Sequence, residues 1–314
     1  MAKAQRLTTS ELVRANLSGK RLDLPGLAFE AVLLVALLTS LVVLLTLLGD
    51  IVLKGAGVFV RRGTGFLSGG LSTFSAETAG VGQGIVGSLL LMAVVVVVAF
   101  PIGIGAAVYL EEYAEDTRFN RFINVNIRNL AGVPAIVYGL LGLTVFVAAL
   151  APLSDPQTRG KTLLAGGLTL AVLVLPIVII TAAEALRAVP QTLREAAYGV
   201  GATRWQVIRH HVLPYAAPGI LTGTVLAISR ALGETAPLLL VGAVTGYLST
   251  GGASPFELLG QRYTALPTII FRWSTLPNAS VRELTAAAII VLLVLTLTAN
   301  AAAIILRNRY ERRW

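Results

Sequence analysis

Two charged residues, Arg230 and Glu234, interrupt an apolar stretch that runs over residues 214–247. Their spacing of four places both side chains on one face of a helix. One interpretation is a self-neutralising pair near a helix end. The other is an anion pathway, because a guanidinium group presents planar, paired donors that match phosphate oxygens. In that case Glu234 would orient Arg230 and moderate its grip, so that a transported anion could leave.

A second group of candidate residues lies in the polar segment 190–214. Thr192 followed by Glu195, and Thr203 followed by Gln206, each have the spacing of a capping box, which predicts two short helices. Two glycines between them would end or bend the first helix, and the proline that closes the segment would stop the second. The segment also carries apolar residues that a solvated loop does not need. Either a partner protein covers them, or the helical pair packs under its own bundle.

Several kinds of site are not expected. His210 and His211 are the two histidines, and being adjacent they point to different sides of a helix, so we expect no metal site. Cysteine is absent, which excludes disulfides and thiolate ligands. The sequence contains no Gly-x-x-x-x-Gly-Lys-Ser/Thr phosphate loop and no Gly-x-Ser-x-Gly motif. We therefore expect this chain to bind no ATP by that route and to need no cofactor of its own.

The elements that would position these residues are membrane-spanning helices. Hydrophobic residues make up 55% of the 314 residues and charged residues only 13%, against roughly 25% charged in soluble domains. Crossing the hydrocarbon core takes about 20 mostly apolar residues. Six stretches qualify: Ala31–Leu48, Ile85–Leu110, Leu130–Leu150, Thr162–Ala183, Pro214–Tyr247 and Leu284–Leu306. The sequence therefore predicts an all-α integral membrane protein with six transmembrane helices and no barrel-like alternation.

The distribution of Lys and Arg predicts the orientation. With the N-terminus in the cytoplasm, inner segments hold 16 of these residues and outer segments 8, while Arg230 lies within a span. Both termini are therefore predicted to be cytoplasmic, and the net charge of +9 reflects this bias rather than nucleic-acid binding. The predicted parts are a cytoplasmic segment 1–30, a first span 31–48, an extracytoplasmic loop 49–81, a core 82–307 and a cytoplasmic tail 308–314.

The spacing within the segment 190–214 resembles the EAA loop of ABC importer permeases. The residues that carry the likeness are Glu195, Ala196, Ala197, Gly201, Leu213 and Pro214. In that family the loop forms a coupling helix docked in a groove of a cytoplasmic ATPase. The resemblance implies that these residues, together with Arg194, couple this chain to such an ATPase. His211 stands where the family usually has Ile, a change that affects only the fine geometry of docking.

Further stretches resemble the permeases of phosphate ABC importers, the PstA-type subunit more than its PstC-type partner. They are ALGETAPLL from Ala231, LREAAY from Leu193, LPTIIF from Leu266 and YLEEYA from Tyr109. The likeness covers most of the chain, from about residue 82 to 307. It implies the type I (MetI-like) importer fold, with five core helices after one extra N-terminal helix. It also implies that Arg230 and Glu234 lie on a phosphate pathway.

The resemblance also implies partners and a location. These are a cytoplasmic ATPase dimer that uses ATP and Mg²⁺, a second PstC-type permease, an extracytoplasmic phosphate-binding protein and membrane lipid, with no nucleic acid. The chain would be a multi-pass, non-enzymatic subunit in the cytoplasmic membrane of a bacterium or archaeon, working by alternating access. Three alternatives stay open: an ABC permease for another oxyanion such as molybdate or sulfate, a secondary transporter or channel, and a membrane scaffold. The lack of a convincing internal repeat weakens the secondary-transporter alternative.

Overall fold

The computed structural model describes residues 24–71, 77–243 and 254–311, and helices dominate these residues. Six helices are long and apolar enough to cross a membrane. They are span 1 (Leu24–Arg62), span 2 (Gly82–Tyr113), span 3 (Ala135–Leu153), span 4 (Leu163–Arg187), span 5 (Arg204–Gly233) and span 6 (Ser280–Arg309). The predicted number of six spans is thereby confirmed. Most of the predicted segment 1–30, the end of the predicted fifth span and the last residues of the tail lie outside the described residues.

The chain divides into two units, residues 1–50 and residues 51–314. The described part of the first unit is helical throughout, and its leucine and valine side chains are exposed. A helix that is apolar on all sides is suited to a hydrocarbon surrounding rather than to water.

Residues 49–62 continue the first helix, so the predicted loop 49–81 is wrong over this part. A further short helix, Thr64–Ser68, follows it. The predicted loop rested on the high content of Gly, Ser and Thr after residue 49, but the glycine at position 55 serves close helix packing. A Cβ there would lie 2.9 Å from backbone atoms of Ala286 and Ala287 in the last helix. Charged residues after position 49 lower the hydropathy without breaking the helix. The end of the first helix was therefore predicted too early from the hydropathy of the sequence.

Spans 2 and 4 form the centre of the second unit. Leu170, Val174 and Val178 of span 4 are fully buried. Glycines let the two helices approach closely, since a Cβ on Gly103 or Gly167 would collide with a valine of the other helix. Small residues at such contacts are the usual means of packing helices in membranes, where no hydrophobic effect drives them together.

A separate amphipathic helix, Arg118–Ala131, precedes span 3, so the predicted start of that span at Leu130 is wrong. The Thr117 side chain caps this helix by accepting a hydrogen bond from the Asn120 backbone N–H, and no residue of the helix is buried. The break before span 3 falls at Pro134, because proline disfavours a helical conformation in the residue before it.

The region before span 6 contains helices Pro255–Leu259 and Leu266–Ser274. The second is largely buried, and its first backbone N–H donates to the Ser88 hydroxyl of span 2 at 2.9 Å. Pro267 suits the start of a helix, where an N–H has no partner within the helix. The last helix then runs over Ala279–Glu311. Pro255 and Pro267 therefore each mark the start of a helix.

Candidate functional site

Arg230 and Glu234 lie together where span 5 ends. The helix stops at Gly233, Glu234 is extended (φ −76°, ψ 123°), and a new short helix covers Ala236–Val241. The predicted single span to Tyr247 is therefore wrong. Pro237 has no N–H to bond the Gly233 carbonyl, which favours a break in the helix at this point. The pairing itself holds, because the Arg230 Nε donates to the Glu234 Oε1 at 3.2 Å.

The pair lies at the surface of the chain. The Arg230 side chain is 36% exposed and that of Glu234 19%. The hydroxyl of the preceding residue, Ser229, lies within hydrogen-bond distance of both the Val225 carbonyl, at 2.9 Å, and Asn300 Oδ1 of span 6, at 2.7 Å. A partly exposed ion pair at the end of an apolar span calls for water or another protein beside it, since lipid hydrocarbon offers it no hydrogen bonds.

The first half of the segment 190–214 is the helix Gln191–Gly199. The predicted capping box of Thr192 and Glu195 is wrong: Pro190 is the N-cap, and Thr192 is already inside the first turn. Proline is suited to this place because its extended conformation leads directly into a helix. The predicted glycine stop is confirmed by Gly201 (φ +84°), a left-handed conformation that glycine adopts without steric cost.

The second half of the segment begins as predicted but does not end as predicted. Thr203 and Gln206 form the capping box, with the Thr203 N–H donating to Gln206 Oε1 at 2.8 Å. The helix that follows runs on through Pro214 into the membrane, so the predicted stop there is wrong. A π-helical turn over Ile208–Val212 precedes the proline. Such a turn changes the hydrogen-bonding register, which accommodates the missing N–H and the bulk of the ring.

The helical pair has one face packed under its own bundle and one face free in this chain. Ala197, Val207 and Ile208 are buried. On the other side Glu195 and Ala196 are exposed, as are two larger apolar side chains, Val200 (85%) and Trp205 (53%). The interpretation that the pair packs under its own bundle is therefore confirmed for the buried residues, and cover by a partner protein stays a prediction for the exposed ones. We call Glu195, Ala196, Tyr198, Val200 and Trp205 the exposed ridge.

Arg194 does not belong to the exposed ridge, because its side chain turns inward and is only 13% exposed. Its Nη2 donates to Glu112 Oε1 at 2.8 Å and to the Leu186 carbonyl at 2.9 Å, and its Nη1 donates to the Val189 carbonyl at 2.6 Å. Glu112 is 8% exposed and ends span 2. This one side chain therefore fastens the helix Gln191–Gly199 to the ends of spans 2 and 4.

Glu112 also contacts the second half of the segment 190–214. The Arg204 guanidinium donates to the Glu112 backbone carbonyl and lies 4.8 Å from the centre of the Tyr113 ring. Beside it, Arg187 bonds Glu111 in an outer pair whose arginine is 59% exposed. No sequence pattern predicted that Glu112 holds both halves of this segment. The available signal was that the end of span 2 and the segment 190–214 share one predicted side of the membrane.

Comparison with known proteins agrees with this architecture. Residues 99–313 match the family described as "Binding-protein-dependent transport system inner membrane component". A "Phosphate transport system permease protein PstA 1" of Mycobacterium tuberculosis (strain ATCC 25618 / H37Rv) is 33% identical over 276 residues, which cover 87% of this chain and 84% of that protein. The "Probable ABC transporter permease protein YqgH" of Bacillus subtilis (strain 168) is 37% identical over 194 residues, 62% of this chain and 61% of that protein.

Solved structures show the same fold. A bacterial alginate ABC transporter, crystallised with its pentasaccharide-bound periplasmic protein, contains a chain that aligns with a TM-score of 0.59 over 94% of both chains. A chain of the MetNI methionine ABC transporter aligns with a TM-score of 0.51 over 73% of this chain. Identities of 17% and 19% make both of these likenesses of fold alone.

Proposed function

The chain belongs to the family of binding-protein-dependent transport system inner membrane components, and on that premise we propose that it moves inorganic phosphate as the permease subunit of an ABC importer. It is a multi-pass protein of the inner membrane with the fold of an ABC importer permease. Its relatives include several phosphate transport permeases of the PstA type at 31–37% identity. The proposal adds the roles of individual residues and the partners.

The observation that carries the proposal is the Arg230–Glu234 pair, partly exposed at the end of an apolar span. The Nε of the Arg230 guanidinium donates its hydrogen bond to Glu234. The two terminal nitrogens of Arg230 are left to donate to phosphate oxygens. The same carboxylate repels an anion and competes for the arginine. Binding would therefore be specific but weak enough for release, as a transport pathway needs.

The pathway would lie between this chain and a second permease rather than inside this chain. Beside Ala231 and Leu238 the bundle holds a cavity of about 10 Å³, room for one water molecule at most. The Arg230 side chain is instead partly exposed on the surface of this chain. A second membrane subunit that covers this surface would supply the other wall and remove the pair from lipid.

The exposed ridge would dock on a cytoplasmic ATPase, with Glu195 and Ala196 at the contact. ATP and Mg²⁺ would be handled by that ATPase and not by this chain. The buried Ala197, Leu213 and Pro214 would hold the ridge in position, and Gly201 would set its turn. Arg194 would act inside the chain, passing movement of the ridge to span 2 through Glu112. Both termini would then be cytoplasmic, and an extracytoplasmic binding protein would deliver phosphate to the opposite mouth.

The test is uptake of radiolabelled phosphate at low concentration by cells carrying the full partner set. Replacing Arg230 with Ala removes a charge-assisted hydrogen bond of about 1.5–3 kcal/mol, so uptake should fall about 10- to 100-fold. R230K keeps the charge without the paired donors and should retain an intermediate rate. Unchanged uptake in both variants, with normal assembly, would remove Arg230 from the pathway.

The coupling role is tested in the same cells by Glu195→Ala, with Glu184→Ala as its matched control, since Glu184 is also exposed at this end of the bundle. We expect E195A to lower uptake and E184A to leave it unchanged. Excess unlabelled sulfate or molybdate should not compete. Uptake that persisted without ATP would instead indicate a secondary transporter.

A further inference from the structure

Three cations surround an open cavity at the end of the bundle opposite the exposed ridge. The cavity has a volume of about 620 Å³, and Pro156, Gln157, Thr158, Arg159, Lys161 and Arg262 line it. Half of the lining residues are therefore positively charged, and no carboxylate is among them. We propose that this cationic basin (Arg159, Lys161 and Arg262) binds inorganic phosphate at the outer mouth, before the anion reaches Arg230. The inference rests on the proposed function.

In the part of the chain that the structure describes, no carboxylate is paired with the basin. Within residues 24–71, 77–243 and 254–311, none of the three cations forms an ion pair. Residues 244–253, which follow Gly242 and Ala243 in sequence, include no Asp or Glu. Asp155 is the acidic residue nearest in sequence, and its Oδ1 accepts the Gln157 backbone N–H at 2.8 Å. Like charges held together without counter-charges repel one another, and a bound anion relieves that repulsion.

The cations are held on a fixed scaffold rather than on a loose loop. The Ser154 hydroxyl accepts the Gly160 backbone N–H at 2.7 Å, and the Leu163 backbone N–H donates to the Gln261 carbonyl at 3.0 Å. The Arg262 guanidinium donates to the Gln157 carbonyl. The segment that precedes span 4 and the segment around Arg262 are thereby linked by hydrogen bonds around the cavity.

Arg159 has a positive φ of +47°, which no other non-glycine residue shows in the described part of the chain. Glycine or asparagine would adopt this conformation more readily than arginine. Strained backbone at such a residue is held by the surrounding structure and is a common feature of functional sites. The choice of arginine here therefore favours a role for its side chain.

A short helix connects the basin to the Arg230–Glu234 pair. The stem of Lys161 packs on Gly242, where an added Cβ would lie 2.7–3.0 Å from three of its carbons. Gly242 directly follows the helix Ala236–Val241, and Glu234 lies just before that helix. Six helical residues rise about 9 Å. An anion in the basin is therefore about the length of one short helix from the pair. The pathway would then have an outer anion site at the basin and an inner one at Arg230.

A cysteine reporter tests the basin directly, because the chain has no cysteine of its own. Gln157→Cys places a thiol on the basin wall and leaves all three cations in place. Ser280→Cys is the matched control, an exposed residue at the same end of the bundle but outside the basin. The transporter assembled with its partners is treated with an anionic or a cationic methanethiosulfonate reagent at low salt. Mass spectrometry of this chain then measures the rate of modification.

We expect the anionic reagent to react faster than the cationic one at Gln157→Cys but not at Ser280→Cys. A unit charge about 7 Å away in water changes the rate about threefold, so Lys161→Gln and Arg159→Gln should each slow the anionic reagent by about that factor. Arg282→Gln, which removes a charge elsewhere, should not. Inorganic phosphate should slow modification more than chloride does at equal ionic strength.

Equal rates for the two reagents, or equal effects of phosphate and chloride, would overturn the basin. If phosphate uptake by the wild-type transporter persists in that case, the proposed function stands and only the outer anion site is refuted. Failure of wild-type uptake would refute the proposed function itself. Protection given by the phosphate-free binding protein, and not by phosphate, would show a protein-docking surface and would also refute the anion site.

Discussion

Replacing Arg194 with Met tests whether the buried contact with Glu112 fastens the exposed ridge to the bundle. Arg194 is 13% exposed and Glu112 8%, and the arginine makes three hydrogen bonds of 2.6–2.9 Å. R194M keeps most of the side-chain volume but leaves the carboxylate buried without a partner. Removing one member of a buried pair costs about 3–5 kcal/mol. We expect a loss of stability of that size.

The neighbouring outer pair provides the control. Arg187 bonds Glu111 at the same end of the bundle, but its side chain is 59% exposed. Solvent screens such a pair, and exposed ion pairs are worth about 0–1 kcal/mol. R187M should therefore cost far less than R194M, although both substitutions remove one arginine from one carboxylate.

The measurement is the thermal unfolding midpoint of the purified transporter, together with uptake per ATP hydrolysed. For a chain of this size each kcal/mol lowers Tm by about 2–4 °C, so R194M should lower it by at least about 6 °C. Adding E112Q neutralises the stranded carboxylate and should recover part of the loss. Equal shifts for R194M and R187M, or an E112Q effect that simply adds to that of R194M, would refute the reasoning. In R194M we also expect fewer phosphate ions per ATP, since the ridge would no longer move with span 2.

Two further predictions concern packing and pH. Gly87→Ala should destabilise the protein by about 1–3 kcal/mol, because the new Cβ would lie 1.9 Å from the Thr264 carbonyl oxygen. Gly105→Ala in the same span has no atom within 4 Å and should be neutral or slightly stabilising, which thermal unfolding of both variants would check. The hydrogen bond from Arg121 lowers the pKa of Asp116, so this pair stabilises the fold above the ordinary Asp pKa and loses its effect as pH falls through the lowered value. Acid titration of stability should show this small contribution in the wild type and not in Arg121→Gln, and an identical profile in both would contradict it.

The sequence alone determined the parts that depend on neighbouring residues. Hydropathy located all six spans, because each must present about 20 apolar residues to the membrane core. The Thr203–Gln206 capping box and the turn at Gly201 were also predictable, since a cap or a left-handed turn needs only residues within a few positions. The pairing of Arg230 with Glu234 followed from a spacing of four in the same way.

Sequence patterns failed where the same local signal fits two packing situations. The glycines after residue 49 suggested a loop, whereas Gly55 serves a close helix contact. Pro214 suggested a stop, whereas a π-helical turn carries the helix through it. Pro237, read as part of a continuous span, in fact breaks it and leaves Glu234 outside the helix. The type of a residue limits the backbone conformations that it can adopt, and the packing around it selects one of them.

Only the tertiary structure decided the contacts between residues distant in sequence. Arg194 and Glu112 are 82 residues apart, and Arg262 reaches Gln157 across 105. The spacing of such residues carries no information about their distance in space, because the packing of whole helices sets it. Packing therefore places Arg194, predicted to be a coupling residue, inside the chain against Glu112, and it brings Arg159, Lys161 and Arg262 around one cavity.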